Sequence, residues 1–238
     1  MHFLLTDVER RDKVIRHLAK AAGGELHSKW DGETPPCIVG NDRGMDVVQR
    51  ECNAKKIPYM YVDHAYFIRH PLMERFRLCV SNYHCTDWRD SDRQCLAKVR
   101  PWRTGGKNIV IIHPAPKVGS IYPVKQWLDE TVERLKTLTD RKVIIKMKGE
   151  GALNDCLIDA FAAITYGSVA DVDAVRLGTP VFAGGHSPVW PVAQHDLAQI
   201  EAPIYPDRAQ WLRSLAAAEW ALDEAHLAWD RVKPLLPV

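Results

Sequence analysis

Long apolar runs, paired cysteines and a strong net charge are all missing from this sequence of 238 residues. No stretch approaches the roughly 20 apolar residues of a transmembrane helix, so we expect no membrane association. The amino-terminal residues become charged too early for a secretory signal peptide, which favours a cytoplasmic protein. The six cysteines include no CxxC pair, so reduced thiols are expected rather than a disulfide framework. Cys79, Cys85 and Cys95, together with His84, lack the spacing of a zinc site.

The small net charge of +2 is unevenly distributed along the chain. Residues 1–107 contain 19 Lys and Arg against 14 Asp and Glu, whereas residues 108–238 contain 13 against 16. Nucleic-acid-binding proteins often show such an asymmetry, but a solvated basic face gives the same counts. Charge alone therefore leaves nucleic-acid binding open.

Strand-like and helix-like segments alternate along both halves of the chain. Apolar runs such as "IPYMYVDH" and "IVIIHPAP" are separated by amphipathic segments, which predicts parallel sheets with helices on their faces. The segment "KVRPWRTGGKN" (98–108) is rich in Arg, Pro and Gly and is expected to link two domains. We therefore predict an α/β fold with two Rossmann-like lobes, residues 1–106 and residues 107–238 with terminal helices. Their parallel sheets are expected to face a central cleft and to bind ligands beyond the carboxyl ends of the strands.

The segment "ITYGSVADVDAVRLGTPVF" (164–182) has the pattern of a strand, a small-residue turn and a short helix. Ser168 stands at the expected N-cap, where free backbone N–H groups, beginning with that of Val169, bind anions such as a diphosphate. Asp173 lies about one turn into the helix, where its carboxylate suits two ribose hydroxyls. The alternative is an ordinary capped helix in which Asp171 and Asp173 favour the helix dipole.

The spacing S-x4-D-A-x3-G-x-P-V in this segment resembles the donor site of GT-B glycosyltransferases, where a Glu usually holds the nucleotide ribose. The resemblance implies that Asp173 takes the place of that Glu. It also implies that Lys146 in "VIIKMKG", or Lys148 as second choice, faces the donor phosphates. In a GT-B arrangement, His113 and Ser120 lie in a loop that reaches the leaving diphosphate. A packing role for His113 at the strand end stays open.

A wider resemblance covers roughly residues 58–230. Segments such as "YVDHAYF", "TDRKVIIKMKG" and "VAQHDLAQIEAPIYPD" are similar, in this order, to those of small phage-encoded GT-B-like proteins. Many proteins of that group carry no assigned activity, so the resemblance implies a GT-B-like fold before it implies a reaction. The chain departs from the pattern at Asp173 and at His195-Asp196, and it is short for a full GT-B enzyme.

Asp63 and His64 end an apolar strand of the first half, at the expected carboxyl edge of its sheet. An inverting glycosyltransferase needs a base that takes the proton from the acceptor hydroxyl, and Asp or His serves if it lies within hydrogen-bond reach. We predict that Asp63 is this base, or that it orients His64 as the base. Alternatively, Asp63 caps the following turn and His64 packs locally.

Basic residues in the first half are interleaved with aromatic ones, a pattern that suits a phosphate backbone and extruded bases. Salt-bridged surface residues and core aromatics are the alternative. The residues predicted to contact nucleic acid are Arg69, Arg75, Arg77, Arg89, Arg100, Arg103 and Trp88.

The resemblance to phage-encoded proteins thus implies a phage glycosyltransferase that moves a sugar to a hydroxymethylated pyrimidine in double-stranded DNA, within the host cytoplasm. The expected co-substrate is a nucleotide sugar, UDP-linked by preference, with no permanently bound cofactor and no metal. The protein is expected to be a monomer or a weak dimer. Two alternatives stay open: transfer to a surface glycan or lipid-linked sugar, and an inert module that binds nucleotide sugars.

Overall fold

The computed structural model describes residues 1–236, apart from the side chains of Lys117 and Ser120. It divides the chain into two compact units, each built on its own sheet. The predicted α/β fold with two Rossmann-like lobes is confirmed. The boundaries differ from the predicted ones, because the terminal segment belongs to the first lobe and not to the second. The first unit comprises Met1–Leu96 and Leu212–Val238, and the second comprises Ala97–Trp211.

The first unit contains a six-stranded sheet with the strand order β10-β5-β4-β3-β1-β2. β1 to β4 pair in parallel, whereas β5 is antiparallel to β4 and β10 is antiparallel to β5. The strands are β1 (His2–Leu4), β2 (Glu25–His27), β3 (Pro36–Val39), β4 (Met60–His64), β5 (Arg75–Val80) and β10 (Glu219–Ala221). The helices are α1 (Glu9–Ala22), α2 (Met45–Lys55) and α7 (Ala225–Val232), with 3-10 turns at Leu222–Glu224 and Lys233–Leu235.

Helix α1 shows how the sequence pattern builds this core. Val14, Ile15 and Leu18 recur at helical spacing and are fully buried, and they pack in one cluster with Phe3 of β1. Full burial of each such side chain stabilises the fold by about 1.5–3 kcal/mol. Gly23 ends the helix in the left-handed conformation with φ +65°, which glycine adopts without strain.

The second unit contains a four-stranded, fully parallel sheet with the order β7-β6-β8-β9. The next strand in the chain, β7, pairs with one edge of β6, and the strand after it, β8, pairs with the other edge. The topological switch therefore lies between β6 and β8. The strands are β6 (Asn108–Ile112), β7 (Lys142–Lys146), β8 (Ala160–Tyr166) and β9 (Val181–Gly184). The helices are α3 (Val124–Leu138), α4 (Leu153–Leu157) and α5 (Ala170–Arg176), with 3-10 turns at Pro116–Ser120, Trp190–Val192 and Leu197–Gln199. Helix α6 (Ala209–Ala216) carries the chain from the second unit into the first.

The segment predicted as a linker is instead bound along the second unit. Arg103 N–H donates to Gly178 O at 2.8 Å, and Trp102 Nε1 donates to Pro206 O at 2.8 Å. The Arg103 guanidinium also donates to backbone carbonyls at the end of α4 and to Thr179 Oγ1. The Trp102 and Arg103 side chains therefore fix this segment to the second unit. Its content of Arg, Pro and Gly did not predict these contacts.

Three strands correct the interpretation of the first unit from sequence. β5 was expected to be parallel and is antiparallel, β2 was not predicted, and β10 interrupts the region expected to form the terminal helices. None of the helices within residues 1–236 combines the length and the apolar character of a membrane span.

Candidate functional sites

The carboxyl edge of the second unit's sheet gathers most of the predicted donor-site residues. His113 directly follows β6, Lys146 ends β7, and Ser168 follows β8. In open parallel sheets, ligands bind at this edge beside the topological switch. This edge is the candidate nucleotide site.

Lys146 is the least compensated charge at this edge. Its side chain is buried, with 8% of the residue exposed, and Nζ donates to Met147 O at 2.6 Å. No carboxylate oxygen lies within 4.0 Å of Nζ in the part of the chain that the structure describes. Burial of an unpaired ammonium is costly, so this position favours an anionic ligand. Lys148, the second choice from the sequence, is exposed.

His113 lies beside Lys146 across the β6–β7 pair. His113 N–H donates to Lys146 O at 3.1 Å, and its Nδ1 lies 2.7 Å from Pro114 O. With Nδ1 donating to that carbonyl, Nε2 is the ring nitrogen left to contact a ligand. The side chain of Ser120 lies outside the described part of the structure, so its predicted contact with the diphosphate stays a prediction.

The turn before α5 differs from the predicted anion site. Ser168 Oγ accepts from Ala170 N–H at 3.2 Å, and Ser168 O accepts from Asp171 N–H at 3.2 Å. Val169 O accepts from Val172 N–H at 3.1 Å. The amides expected to meet a diphosphate are therefore largely engaged within the turn, because α5 has only seven residues and begins in a tight bend. An anion that binds at this edge would therefore be held by Lys146 more than by these amides.

Asp173 stands on α5 as the sequence predicted, with its side chain 17% exposed. Its carboxylate lies 3.3 Å from Arg176, whose guanidinium also donates to Lys98 O at 2.9 Å. The structure thus gives Asp173 a local ion pair, and its role toward a ribose stays a prediction.

Asp171, treated in the sequence only as a helix-dipole residue, is fully buried. Ser187 Oγ lies 2.6 Å from Asp171 Oδ2, and Thr165 Oγ1 lies 3.4 Å from the same oxygen. Burial raises the pKa of Asp171 to about 7. The signal that was missed is the helical spacing, because Asp171 lies on the same face of α5 as the buried Ala174 and Val175.

Aromatic rings line the loops after β6, β8 and β9. Tyr122 stacks on His186 with ring centroids 4.5 Å apart, and Tyr166 contacts both Tyr122 and Trp127. A side chain at Gly185 would place Cβ 2.5 Å from the Tyr166 ring, so this close packing requires glycine. Burial lowers the pKa of His186, which keeps its ring uncharged at neutral pH.

In the first unit, Asp63 and His64 end β4 as predicted, but Asp63 is engaged in a buried ion pair. Its Oδ2 lies 3.2 Å from Arg77 Nη2 and accepts from Tyr61 Oη at 2.9 Å. Burial alone would raise the pKa of Asp63, yet Arg77 and the His64 N–H outweigh it and hold this pKa below its usual value. A carboxylate held in this way is a poor proton acceptor, which argues against Asp63 as the base.

His64 is held by the same pair through its backbone. Its N–H donates to Asp63 Oδ1 at 2.7 Å, and Arg77 Nη1 donates to His64 O at 2.7 Å. The half-buried ring has Nδ1 shielded from solvent and without a partner among residues 1–236. Burial lowers the pKa of His64, and the positive charges of the nearby Arg77, Arg10 and Arg11 lower it further. Together they outweigh the opposite effect of Asp63, so the ring is neutral near pH 7. A neutral, oriented imidazole is the form that accepts a proton.

Most of the arginines predicted to contact nucleic acid serve the fold instead. Arg77 is buried against Asp63, which corrects its predicted exposure to a phosphate. Arg75 pairs with Glu219 at 3.4 Å, Arg89 pairs with Asp87 at 2.7 Å, and Arg103 is bound by backbone carbonyls. The partners of Arg75 and Arg103 come from distant segments, whereas Asp63 lies on the strand next to Arg77 and Asp87 lies two residues before Arg89.

The other members of that set are Arg69, Arg100 and Trp88, and Arg69 Nη2 donates to Tyr66 O at 3.1 Å. Arg69 and Arg100 are exposed, and Trp88 is half-buried. No three His, Cys, Asp or Glu side chains of the described residues form a group that would hold a metal ion. All six cysteines are free thiols.

The similarity of this chain to known proteins is distant. Among solved structures, the beta Kdo 2,4 transferase KpsC of Thermosulfurimonas dismutans is similar to this chain at 10% sequence identity and a TM-score of 0.49. The likeness covers 98% of this chain and 97% of that chain. No protein-family model matches the chain, and a search of curated proteins gave no match.

Proposed function

We propose that this chain is a glycosyltransferase of the GT-B type that uses a nucleotide sugar as its donor. The observation that supports this most is Lys146, a buried ammonium without a carboxylate partner among the described residues, at the ligand-binding edge of a parallel sheet. A diphosphate supplies the missing negative charge. In a sugar transfer it is also the leaving group, whose growing charge a fixed cation stabilises.

The second unit is assigned to the donor. Lys146 binds the diphosphate, His113 contacts it through Nε2, and Asp173 accepts hydrogen bonds from the ribose hydroxyls. The nucleotide sugar, UDP-linked by preference, is a co-substrate and not a resident cofactor. Lys146 takes the role that a metal ion fills in other transferases.

The first unit is assigned to the acceptor, with His64 as the general base. The neutral imidazole takes the proton from the acceptor hydroxyl while that oxygen attacks the anomeric carbon and the bond to the diphosphate breaks. Asp63 and Arg77 act as positioning residues, because they hold both backbone polar groups of His64. Of the two roles that the sequence allowed for Asp63, this proposal takes the one in which Asp63 orients His64 as the base.

The proposed acceptor is the hydroxymethyl group of a modified pyrimidine in DNA. This rests on the resemblance to phage-encoded proteins and on the exposed Arg69 of the first unit and Arg100 of the second. A hydroxymethyl group offers the primary hydroxyl that the base needs. Its base must leave the helix stack to reach a protein site.

The donor assignment is tested by comparing Lys146→Met with Lys148→Met. The two lysines are two residues apart, one buried and one exposed, so the second variant is a matched control for charge. Calorimetry with UDP should show Lys146→Met binding roughly 10- to 100-fold more weakly, the usual effect of losing a charged hydrogen-bond donor. Lys148→Met should bind as the wild type does.

Thermal unfolding adds a second readout. Because Lys146 is buried without an anion, Lys146→Met should unfold at the same or a higher temperature while it loses nucleotide affinity. A variant that is destabilised and still binds UDP normally would mean that Lys146 is a structural residue. An effect in Lys148→Met alone would move the phosphate contact to that side chain.

The acceptor is tested by incubating the protein with nucleotide sugars and either unmodified or hydroxymethylated DNA, followed by mass spectrometry of the nucleosides. A new glycosylated nucleoside confirms DNA as the acceptor. Transfer to a glycan or lipid-linked sugar with none to DNA would refute the acceptor and keep the enzyme class. Donor binding with neither transfer nor hydrolysis would indicate an inert binding module.

A further inference from the structure

Asp171 has no part in the proposed chemistry, although it is a fully buried carboxyl at the candidate nucleotide site. Asp171 Oδ2 accepts a hydrogen bond from the Ser187 hydroxyl at 2.6 Å and lies 3.4 Å from Thr165 Oγ1. Oδ1 is buried and has no hydrogen-bond partner among residues 1–236. A carboxylate in this position would leave one charged oxygen unsatisfied, whereas a protonated carboxyl group would not carry that charge.

The charged and titratable groups on the surrounding elements do not compensate a negative charge on Asp171. Asp173 on α5 adds repulsion, and the neighbouring Arg176 is directed to Asp173 and to the Lys98 carbonyl. Tyr166 on β8 and His186 on the loop after β9 are both uncharged at neutral pH. No cation lies within 4.0 Å of the Asp171 carboxyl in the described part of the chain.

The contacts of Asp171 join three elements of the candidate site. Thr165 belongs to β8, Asp171 to α5, and Ser187 to the loop that follows β9. Ser187 Oγ also accepts from Val189 N–H at 3.2 Å, and Ser187 O accepts from Trp190 N–H at 3.2 Å. Ser187 is therefore the centre of the loop 185–190, and its hydroxyl proton is directed to Asp171.

The same loop carries His186, which stacks on Tyr122 after the β6 strand. The loop thus connects the β9 side of the sheet to the segment beyond His113. A residue that fixes Ser187 consequently fixes the position of His186 as well.

We propose that Asp171 is a positioning residue which, as a neutral carboxylic acid, holds the loop 185–190 in place at the nucleotide site, and whose ionisation releases that loop. The proton goes to solvent when the loop opens and returns when it closes. The anchoring of the loop does not depend on the proposed function, whereas its consequence for nucleotide binding does.

The direction of the pH effect follows from the two states of the carboxyl group. In the open loop Asp171 meets water and has its usual pKa of about 4, whereas in the closed loop its pKa is about 7. The closed loop holds more protons between these values, so its stability falls as the pH rises from about 4 to about 7 and is constant above that. The open population should increase by at most about tenfold per pH unit.

Hydrogen exchange of the free full-length protein tests the anchoring directly. Backbone protection in residues 185–190, corrected for the intrinsic exchange rate, should fall from pH 5 to pH 7 in the wild type and then level off. Asp171→Asn keeps a neutral acceptor for Ser187 and should stay protected at every pH. Asp171→Ala and Ser187→Ala should be poorly protected at every pH. Urea unfolding of each variant separates local release from global destabilisation.

His186→Gln is the control for the other titratable group of the loop and should keep the pH dependence. The inference is overturned if protection in the wild type does not change with pH. It is also overturned if Asp171→Asn keeps the wild-type pH dependence, or if His186→Gln abolishes it.

A second arm measures UDP affinity at pH 6 and pH 8. Affinity should fall with pH in the wild type and not in Asp171→Asn. If the loop responds to pH but UDP affinity does not, the connection to the nucleotide site is refuted. Loss of all UDP binding by the wild type would instead refute the proposed function and leave the anchoring by Asp171 intact.

Discussion

Replacement of Asp63 by alanine is expected to destabilise the first unit by about 3–5 kcal/mol, the usual cost of removing one partner of a buried ion pair. Asp63 and Arg77 stand opposite each other in the antiparallel register of β4 and β5. Arg77 is 1% exposed, and the rings of Tyr61, Tyr66 and Tyr83 surround its guanidinium at 5.7, 5.1 and 5.5 Å. Without Asp63, this charge has neither water nor an anion beside it.

Replacement of Arg77 should lower stability less than replacement of Asp63 does, because the two partners differ in exposure. Asp63 is 22% exposed on its side chain and keeps hydrogen bonds from Tyr61 Oη and the His64 N–H when Arg77 is lost. Arg77→Met should therefore destabilise by about 1–3 kcal/mol. The double variant should resemble Arg77→Met alone, because no unpaired charge then remains in the core.

Urea unfolding measures these differences, with hydrogen exchange of β4 and β5 to localise them to the first unit. Asp90→Ala is the matched control, because the Asp90–Arg213 pair lies at the surface, where an ion pair contributes little to stability. Although burial raises the pKa of Asp63, Arg77 lowers it overall, so the stabilisation is complete above the unfolded pKa of about 4 and is lost as the pH falls further. An Asp63→Ala variant no less stable than Asp90→Ala would refute the reasoning.

Three further predictions concern the proposed activity. His64→Gln should lower turnover by about 10²–10⁴ with UDP affinity unchanged, and a near wild-type rate would transfer the role of base to His113 as the next candidate. Asp173→Ala should weaken nucleotide binding by about 1–3 kcal/mol, whereas an unaltered Kd in the folded variant would remove the ribose contact. Activity should survive EDTA, and a loss that manganese or magnesium restores would assign a cation to the Asp171–Asp173 segment.

The second unit follows its sequence closely because its signals are local. Each of its four strands is a short apolar run, and α3 repeats its apolar residues at helical spacing, so the elements could be read one at a time. β10 shows the opposite case. The segment around Glu219–Ala221 is rich in alanine and favours a helix, yet its pairing with β5 makes it a strand. That pairing depends on residues more than 130 positions earlier, which no local pattern contains.

The antiparallel pairing of β4 and β5 could have been found from the sequence with one further step. The connection between β4 and β5 spans residues 65–74 and contains no helix. A parallel crossover needs a dozen or more residues, usually including a helix, so this short connection favours an antiparallel pair. The register that places Asp63 opposite Arg77 follows from three-dimensional pairing, and with it the conclusion that Arg77 does not face a nucleic acid.

Arg77 and Lys146 show why burial of a positive charge has a different meaning in each unit. Arg77 has a carboxylate at 3.2 Å, carbonyl acceptors and three aromatic rings, so the chain itself satisfies its charge. Lys146 has a single neutral carbonyl at 2.6 Å and no carboxylate within 4.0 Å in the described residues. A fold gains nothing from an ammonium in such a place, since an apolar side chain of similar volume would be more stable there. The cost of keeping Lys146 is explained if an anion binds to it, whereas Arg77 needs no ligand to account for its charge.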